Sequence, residues 1–102
     1  MEIAFEKDYL KDLFYEGQAK DKHHRFQRSI VKRYIKVVNI LESVTKPEDL
    51  FRYGSLHYEH LSGDKVGIDS VRVNDKYRIE FRLTEGQGII ICNIIELSNH
   101  YR

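Results

Sequence analysis

A single cysteine and a single proline are all that this 102-residue chain offers of either. One cysteine forms no intrachain disulfide and no cysteine zinc cluster. Cys92 lies between Ile91 and Asn93 in an apolar run and reads as a buried core thiol in a reducing compartment. No run approaches the roughly 18 apolar residues of a membrane-spanning helix. The first residues, Met1-Glu2-Ile3-Ala4-Phe5-Glu6, lack the basic-then-apolar layout of a secretory leader. A cytoplasmic protein that does not enter a membrane is expected. No repeat, low-complexity tract or Pro/Gly linker interrupts the sequence, so residues 1–102 are read as one domain. A net charge of only +1 sets up no global field toward nucleic acid. Also missing are G-x-x-x-x-G-K-[ST], G-x-G-x-x-G, a nucleophile elbow and H-E-x-x-H. Gly86-Gln87-Gly88 reads as a hairpin turn. His57-Tyr58-Glu59-His60 has no zinc-site order. No metal and no cofactor are expected.

What is present is sorted. Residues 20–36 carry a net +6, whereas residues 1–19 carry −3. Glu2–Phe5 alternates weakly and suits an edge strand. Tyr9, Leu10, Leu13 and Phe14 recur at helical spacing, with Gly17 as the stop. Asp21 is positioned to cap a second, longer helix. Its apolar stripe is Phe26, Ile30, Tyr34, Val37 or Val38, Leu41 and Val44. Lys22, Arg25, Arg28, Lys32, Arg33 and Lys36 fill much of the remainder. Thr45-Lys46-Pro47-Glu48 reads as a capping box with proline in the first turn, opening a short helix that ends near Phe51 or Arg52.

Beyond Gly54 the period falls to two. Asp69, Val71 and Val73 oppose Ser70, Arg72 and Asn74. After a turn at Asn74-Asp75-Lys76, Tyr77, Ile79, Phe81 and Leu83 alternate with Arg78, Glu80 and Arg82. That is a β-hairpin with one apolar and one charged face. Ile89–Leu97 lacks polar alternation and reads as an inner strand. The order β-α-α-β-β-β predicts an α+β domain, a mostly antiparallel sheet with two N-terminal helices on one face. The opposite face then carries Arg72, Arg78, Arg82 and Glu80. Cross-strand Arg–Glu pairing explains such a face, and so does a polyanionic ligand. Histidines favour the second reading. His57 and His60 precede Leu61-Ser62-Gly63-Asp64-Lys65, and His100 with Tyr101 follows the last strand. Histidine exchanges protons near neutral pH, so histidines that converge with arginines form a phosphodiester-cleaving set. His23 and His24 read as solvated or as partner contacts.

The run Tyr58-Glu59-His60-Leu61-Ser62-Gly63-Asp64-Lys65-x-Gly67-x-x-Ser70-x-Arg72-Val73-Asn74-x-x-Tyr77-Arg78-Ile79-x-Phe81 resembles the RelE/ParE superfamily of bacterial toxins. It is most similar to the HigB branch, the host-inhibition or plasmid-maintenance killers. The motif covers about a quarter of the chain, and the element order with the histidine-bearing tail extends the likeness. The resemblance implies a toxin of a type II toxin–antitoxin system, a ribosome-dependent, metal-free mRNA endoribonuclease that inhibits translation. It implies a HigA-like helix-turn-helix antitoxin, with the ribosome and mRNA as further partners and no DNA binding by the toxin itself. Arg78 falls on the arginine of the family's "Y/W-R-I-x-F" strand, and His100 on its tail histidine. The family's usual tail is acidic-aromatic-histidine, where this chain reads Ser98-Asn99-His100. Ser62 stands where the family has lysine, with Lys65 as its substitute. Glu59, His60 and His57, in that order, are the candidates for general base. Lys65, Arg72, Arg82, Tyr101 and Tyr58 are the expected RNA contacts, Tyr58 and Tyr101 by stacking on bases. The basic segment from Lys22 to Lys36 is expected to meet ribosomal RNA or the antitoxin. Two rival readings are a ParE-like gyrase poison and a non-catalytic member that only binds an antitoxin.

Overall fold

A computed structural model describes residues 1–99. Its elements are β1 (Glu2–Phe5), α1 (Asp8–Glu16), α2 (Arg28–Ser43), β2 (Glu59–His60), β3 (Asp69–Arg72), β4 (Tyr77–Gly86) and β5 (Ile89–Asn99), with short 3-10 turns between them. The five strands form one sheet in the order β1-β5-β4-β3-β2. β1 runs parallel to β5, and the remaining pairs are antiparallel. The sheet is therefore mixed at one edge. β5 is an inner strand, as its lack of polar alternation predicts.

The α1 stripe buries Tyr9, Leu10 and Leu13. Gly17 ends the helix at φ 78°, and its N–H donates to the Leu13 carbonyl at 3.2 Å. An L side chain disfavours that left-handed conformation, so glycine is what lets the chain turn here. α2 buries Ile30, Val31, Tyr34, Val37, Val38 and Leu41. At about 2 kcal/mol for each buried aliphatic chain, this face holds the helix to the sheet. The buried Tyr34 hydroxyl donates to the Leu10 carbonyl at 2.7 Å and ties the two helices together. Val71, Val73, Ile79, Phe81, Cys92, Ile94 and Leu97 complete the core from the sheet side.

Four local expectations need correction. Asp21 caps a 3-10 turn, Lys22–His24, and α2 starts only at Arg28. Asp21 accepts from the His24 N–H, and its carboxylate also holds the His24 ring at 2.9 Å. That local bond competes with helix continuation. His24 is not merely solvated, since its ring stacks on Tyr9 at 3.7 Å. At Pro47–Arg52 the proline does take the first turn, but Lys46 is the cap residue and no side chain caps it. The segment forms a 3-10 turn instead of an α-helix with a Thr45 capping box. Finally, a two-residue strand, β2, pairs with β3 at the sheet edge.

β5 carries a bulge. Glu96 pairs with Glu80 and Ile94 with Phe81, so Ile95 has no opposite number. The extra residue resets the alternation, and Ile94 and Leu97, three apart, both enter the core. β1 reaches only as far as Ile94. Beyond it the Tyr9 hydroxyl takes over, accepting from the Leu97 N–H at 3.0 Å and donating to Glu96 at 2.9 Å. Lys7 adds an ion pair to Glu96 at 2.6 Å. These contacts hold the end of β5 out along β4, where it faces Arg78.

Candidate active site

Directly opposed residues of neighbouring strands share a sheet face. Glu59 opposes Ser70, Ser70 opposes Glu80, and Arg72 opposes Arg78, which in turn opposes Ser98. All of them lie on the face away from the helices. That face is not simply open. The segment around residues 57–65 folds over it, so Ser70, Arg78 and Glu80 are buried. What remains is a cleft of about 420 Å³ lined by Glu59, Leu61, Lys65, Ser70, Arg78, Glu80, Ser98 and Asn99.

Arg78 is its centre. Its guanidinium is always charged, and only 9% of the residue is exposed, so it needs partners. Nε donates to Ser70 Oγ at 2.9 Å, and Nη2 donates to the His57 carbonyl at 2.8 Å. The Glu59 carboxylate stands 3.8 Å from Nη2. His57 adopts φ 45°, a left-handed conformation outside glycine. Such a backbone costs about 1–3 kcal/mol, and here it accompanies a carbonyl turned onto Arg78. Lys65 pairs with Glu80 at 2.7 Å inside the same cleft. The cleft thus places two cations, Arg78 and Lys65, beside two carboxylates, Glu59 and Glu80. Arg82, exposed on the same strand face, continues the positive rim.

Among the described residues, the rings of His57 and His60 are not brought together at Arg78. His60 lies on the opposite face, its Nδ1 2.7 Å from the Asp69 carboxylate. Tyr58 is on that face too, with its hydroxyl donating to the other Asp69 oxygen at 2.6 Å. Its ring stacks on Phe81 at 6.1 Å. Burial and then the Asp69 contact raise the Tyr58 hydroxyl well above the ordinary tyrosine range. Tyr58 is a core side chain, and its ring is not presented for base stacking. His57 offers the cleft its carbonyl. Of the three candidate bases, only Glu59 brings its side chain to Arg78. His100 and Tyr101 lie outside the described residues.

Arg72 is half-buried and paired with Asp75, which relieves its position opposite Arg78. Along α2, Arg28, Lys32, Arg33 and Lys36 occupy the side away from the buried stripe. Arg33 is tethered, its Nε donating to the Val73 carbonyl at 3.1 Å. Lys22 and Arg25 are exposed but precede the helix. Two site features escaped the sequence reading. Ser70 sits within the recognised motif but gives no sign that it orients the arginine. Asp69 falls on an apolar alternation, and an acid there was the available signal. Among the described residues, no group of three or more His, Cys, Asp or Glu side chains is arranged to hold a metal, and no helix is long and apolar enough to cross a membrane.

Comparisons with known proteins bear on the fold and the family. Toxin HigB-1 of Vibrio cholerae is 33% identical over 90 residues, covering 87% of this chain and 90% of that protein. The YoeB/ParE toxin from Agrobacterium tumefaciens superposes over 99% of this chain and 100% of its own, with a TM-score of 0.58 at 18% identity. The YoeB-YefM toxin-antitoxin heterotetramer from Staphylococcus aureus contains a chain with a TM-score of 0.55 at 23% identity, covering 99% of this chain and 98% of that one. At such identities these two speak for the fold. A family profile described as the RelE-like toxin of the type II toxin-antitoxin system HigB matches residues 3–95. This chain therefore belongs to the HigB-like toxin family, the toxin half of a type II toxin–antitoxin pair.

Proposed function

We propose that this toxin stops translation by cutting messenger RNA on the ribosome with side-chain chemistry alone. The observation that carries the reading is the shared cleft of Glu59 and Arg78, with carboxylate and guanidinium 3.8 Å apart. Cleavage needs the 2′-hydroxyl deprotonated, the phosphorane charge stabilised and the 5′-oxygen protonated. Glu59 takes the 2′ proton as the oxygen attacks phosphorus. Arg78, held by Ser70 and the His57 carbonyl, receives the developing charge through its fork. The 5′-oxygen leaves with a proton from His100, which follows directly on the end of β5. The products are a 2′,3′-cyclic phosphate and a free 5′-hydroxyl. Proton transfer of this kind contributes about 10²–10⁴-fold. A shallow cleft cannot align the message by itself, and the ribosome supplies that orientation. Lys65, Arg72 and Arg82 contact the RNA backbone around the cut.

The basic residues Lys22, Arg25, Arg28, Lys32, Arg33 and Lys36 serve ribosomal RNA in the active toxin or an acidic antitoxin segment in the silenced one. The antitoxin is a helix-turn-helix protein of HigA type. The test is expression of the chain in a bacterial host with 5′-end mapping of its transcripts. New ends inside reading frames, growth arrest and relief by the neighbouring helix-turn-helix frame are expected. Intact messages with blocked DNA supercoiling would replace this account with gyrase poisoning.

A further inference from the structure

β2 is two residues long, Glu59–His60, and lies at the sheet edge with only β3 beside it. Two residue pairs are few to fix a segment that must aim Glu59 at Arg78. On the helix-facing side lies a device that meets the need. The Asp69 carboxylate accepts the Tyr58 hydroxyl at 2.6 Å on one oxygen and meets His60 Nδ1 at 2.7 Å on the other. Strand alternation puts Tyr58 and His60 on one face and Glu59, between them, on the other. One buried carboxylate therefore grips the residues on both sides of Glu59. The grip is itself braced, since the Tyr58 ring packs between Phe81 at 6.1 Å and Phe51 at 4.7 Å. The next residue, Ser70, turns the other way and accepts from Arg78 Nε at 2.9 Å.

We infer that Asp69 is a positioning residue for the cleft: with Tyr58 and His60 it forms a clip that fixes β2 and so holds the Glu59 carboxylate beside Arg78. His60 is then part of the clip and not the base, although 69% of its side chain is exposed. Asp69 touches neither Glu59 nor Arg78 and acts only through the backbone it fixes. The role in cleavage rests on the proposed function, whereas the clip itself does not.

The test has two arms, each run with Asp69→Ala and with Asp69→Asn, which keeps the volume and one acceptor for Tyr58. In hydrogen exchange, Asp69→Ala should speed the amides of residues 58–60 about tenfold or more while α2 stays protected, with Asp69→Asn in between. In single-turnover cleavage of ribosome-bound message, Asp69→Ala should slow the cut about tenfold or more without changing ribosome binding. In the Glu59→Gln background, however, the same substitution should cost less than about twofold, because the carboxylate it positions is already gone. A merely structural role predicts losses that multiply. Multiplying losses, or unchanged exchange at 58–60, would overturn the inference. A wild type that cuts nothing would sink the cleavage role together with the proposed function, and the exchange arm would still decide the clip.

Discussion

Arg78 carries a charge that it cannot shed, and the fold answers that charge with Ser70, the His57 carbonyl and, farther off, Glu59. The motif around Arg78 made the residue legible in the sequence. Its burial was not legible, because alternation assigns a charged residue to the open face and says nothing of a loop that later covers it. Asp69 was hidden for the converse reason: alternation put it among core residues, where an acid is expensive unless paired. Cys92 shows the simplest case, an apolar neighbourhood correctly read as burial. Burial pushes its thiol from 9.0 up to about 12. Below pH 9 both native and unfolded chains hold the proton, so the stability linked to this group is fully present. As pH rises toward 12 the unfolded chain ionises first, and that stability drains away. Urea midpoints at about pH 8 and about pH 10 should therefore fall further for wild type than for Cys92→Ala. Equal falls would contradict the burial assigned to the thiol.

At the scale of elements, the long periodic segments were readable and the short ones were not. α2 follows from its stripe, but its start was set by the Asp21–His24 bond, a local competition that periodicity cannot register. β2, at two residues, is too short for any period. The β5 bulge is hard to read because Asn93 and Glu96, three apart, interrupt the apolar residues without setting a period of two. α2 also contains a conflict that a purely structural helix would avoid. Arg28, Lys32 and Lys36 stand four apart on one side, and like charges at that spacing repel. The helix opens on Arg28 with no acidic residue in its first turn, against the preference of its dipole. Lys32→Glu converts two repulsions into two attractions and should stabilise the domain by about 1 kcal/mol. A rise in melting temperature of roughly 4 °C or more is the corresponding signal. The same variant should bind ribosomes more weakly at low salt. A melting temperature that falls, or ribosome binding that holds, would show that the basic row is not kept for a polyanionic partner.

Over the whole molecule, charge and chemistry are separated. The +6 segment of residues 20–36 supplies attraction, while the cleft, two cations against two carboxylates, supplies little net field and a set of reactive groups. The fold connects them through α1: Tyr9 stacks on His24 at one end and props the tail of β5 at the other. Under the proposed function, binding energy is collected on one surface and catalysis takes place on another. The central claim is that Glu59 and Arg78 cut the message. It is met most directly by single-turnover cleavage of one ribosome-bound mRNA by wild type, Glu59→Gln and Arg78→Ala at equal folded and ribosome-bound concentration. The account predicts a loss of about 10²–10³-fold for Arg78→Ala and at least about 10²-fold for Glu59→Gln. Rates within about threefold of wild type for either variant would contradict it, since no oxyanion or proton-transfer contact is worth so little.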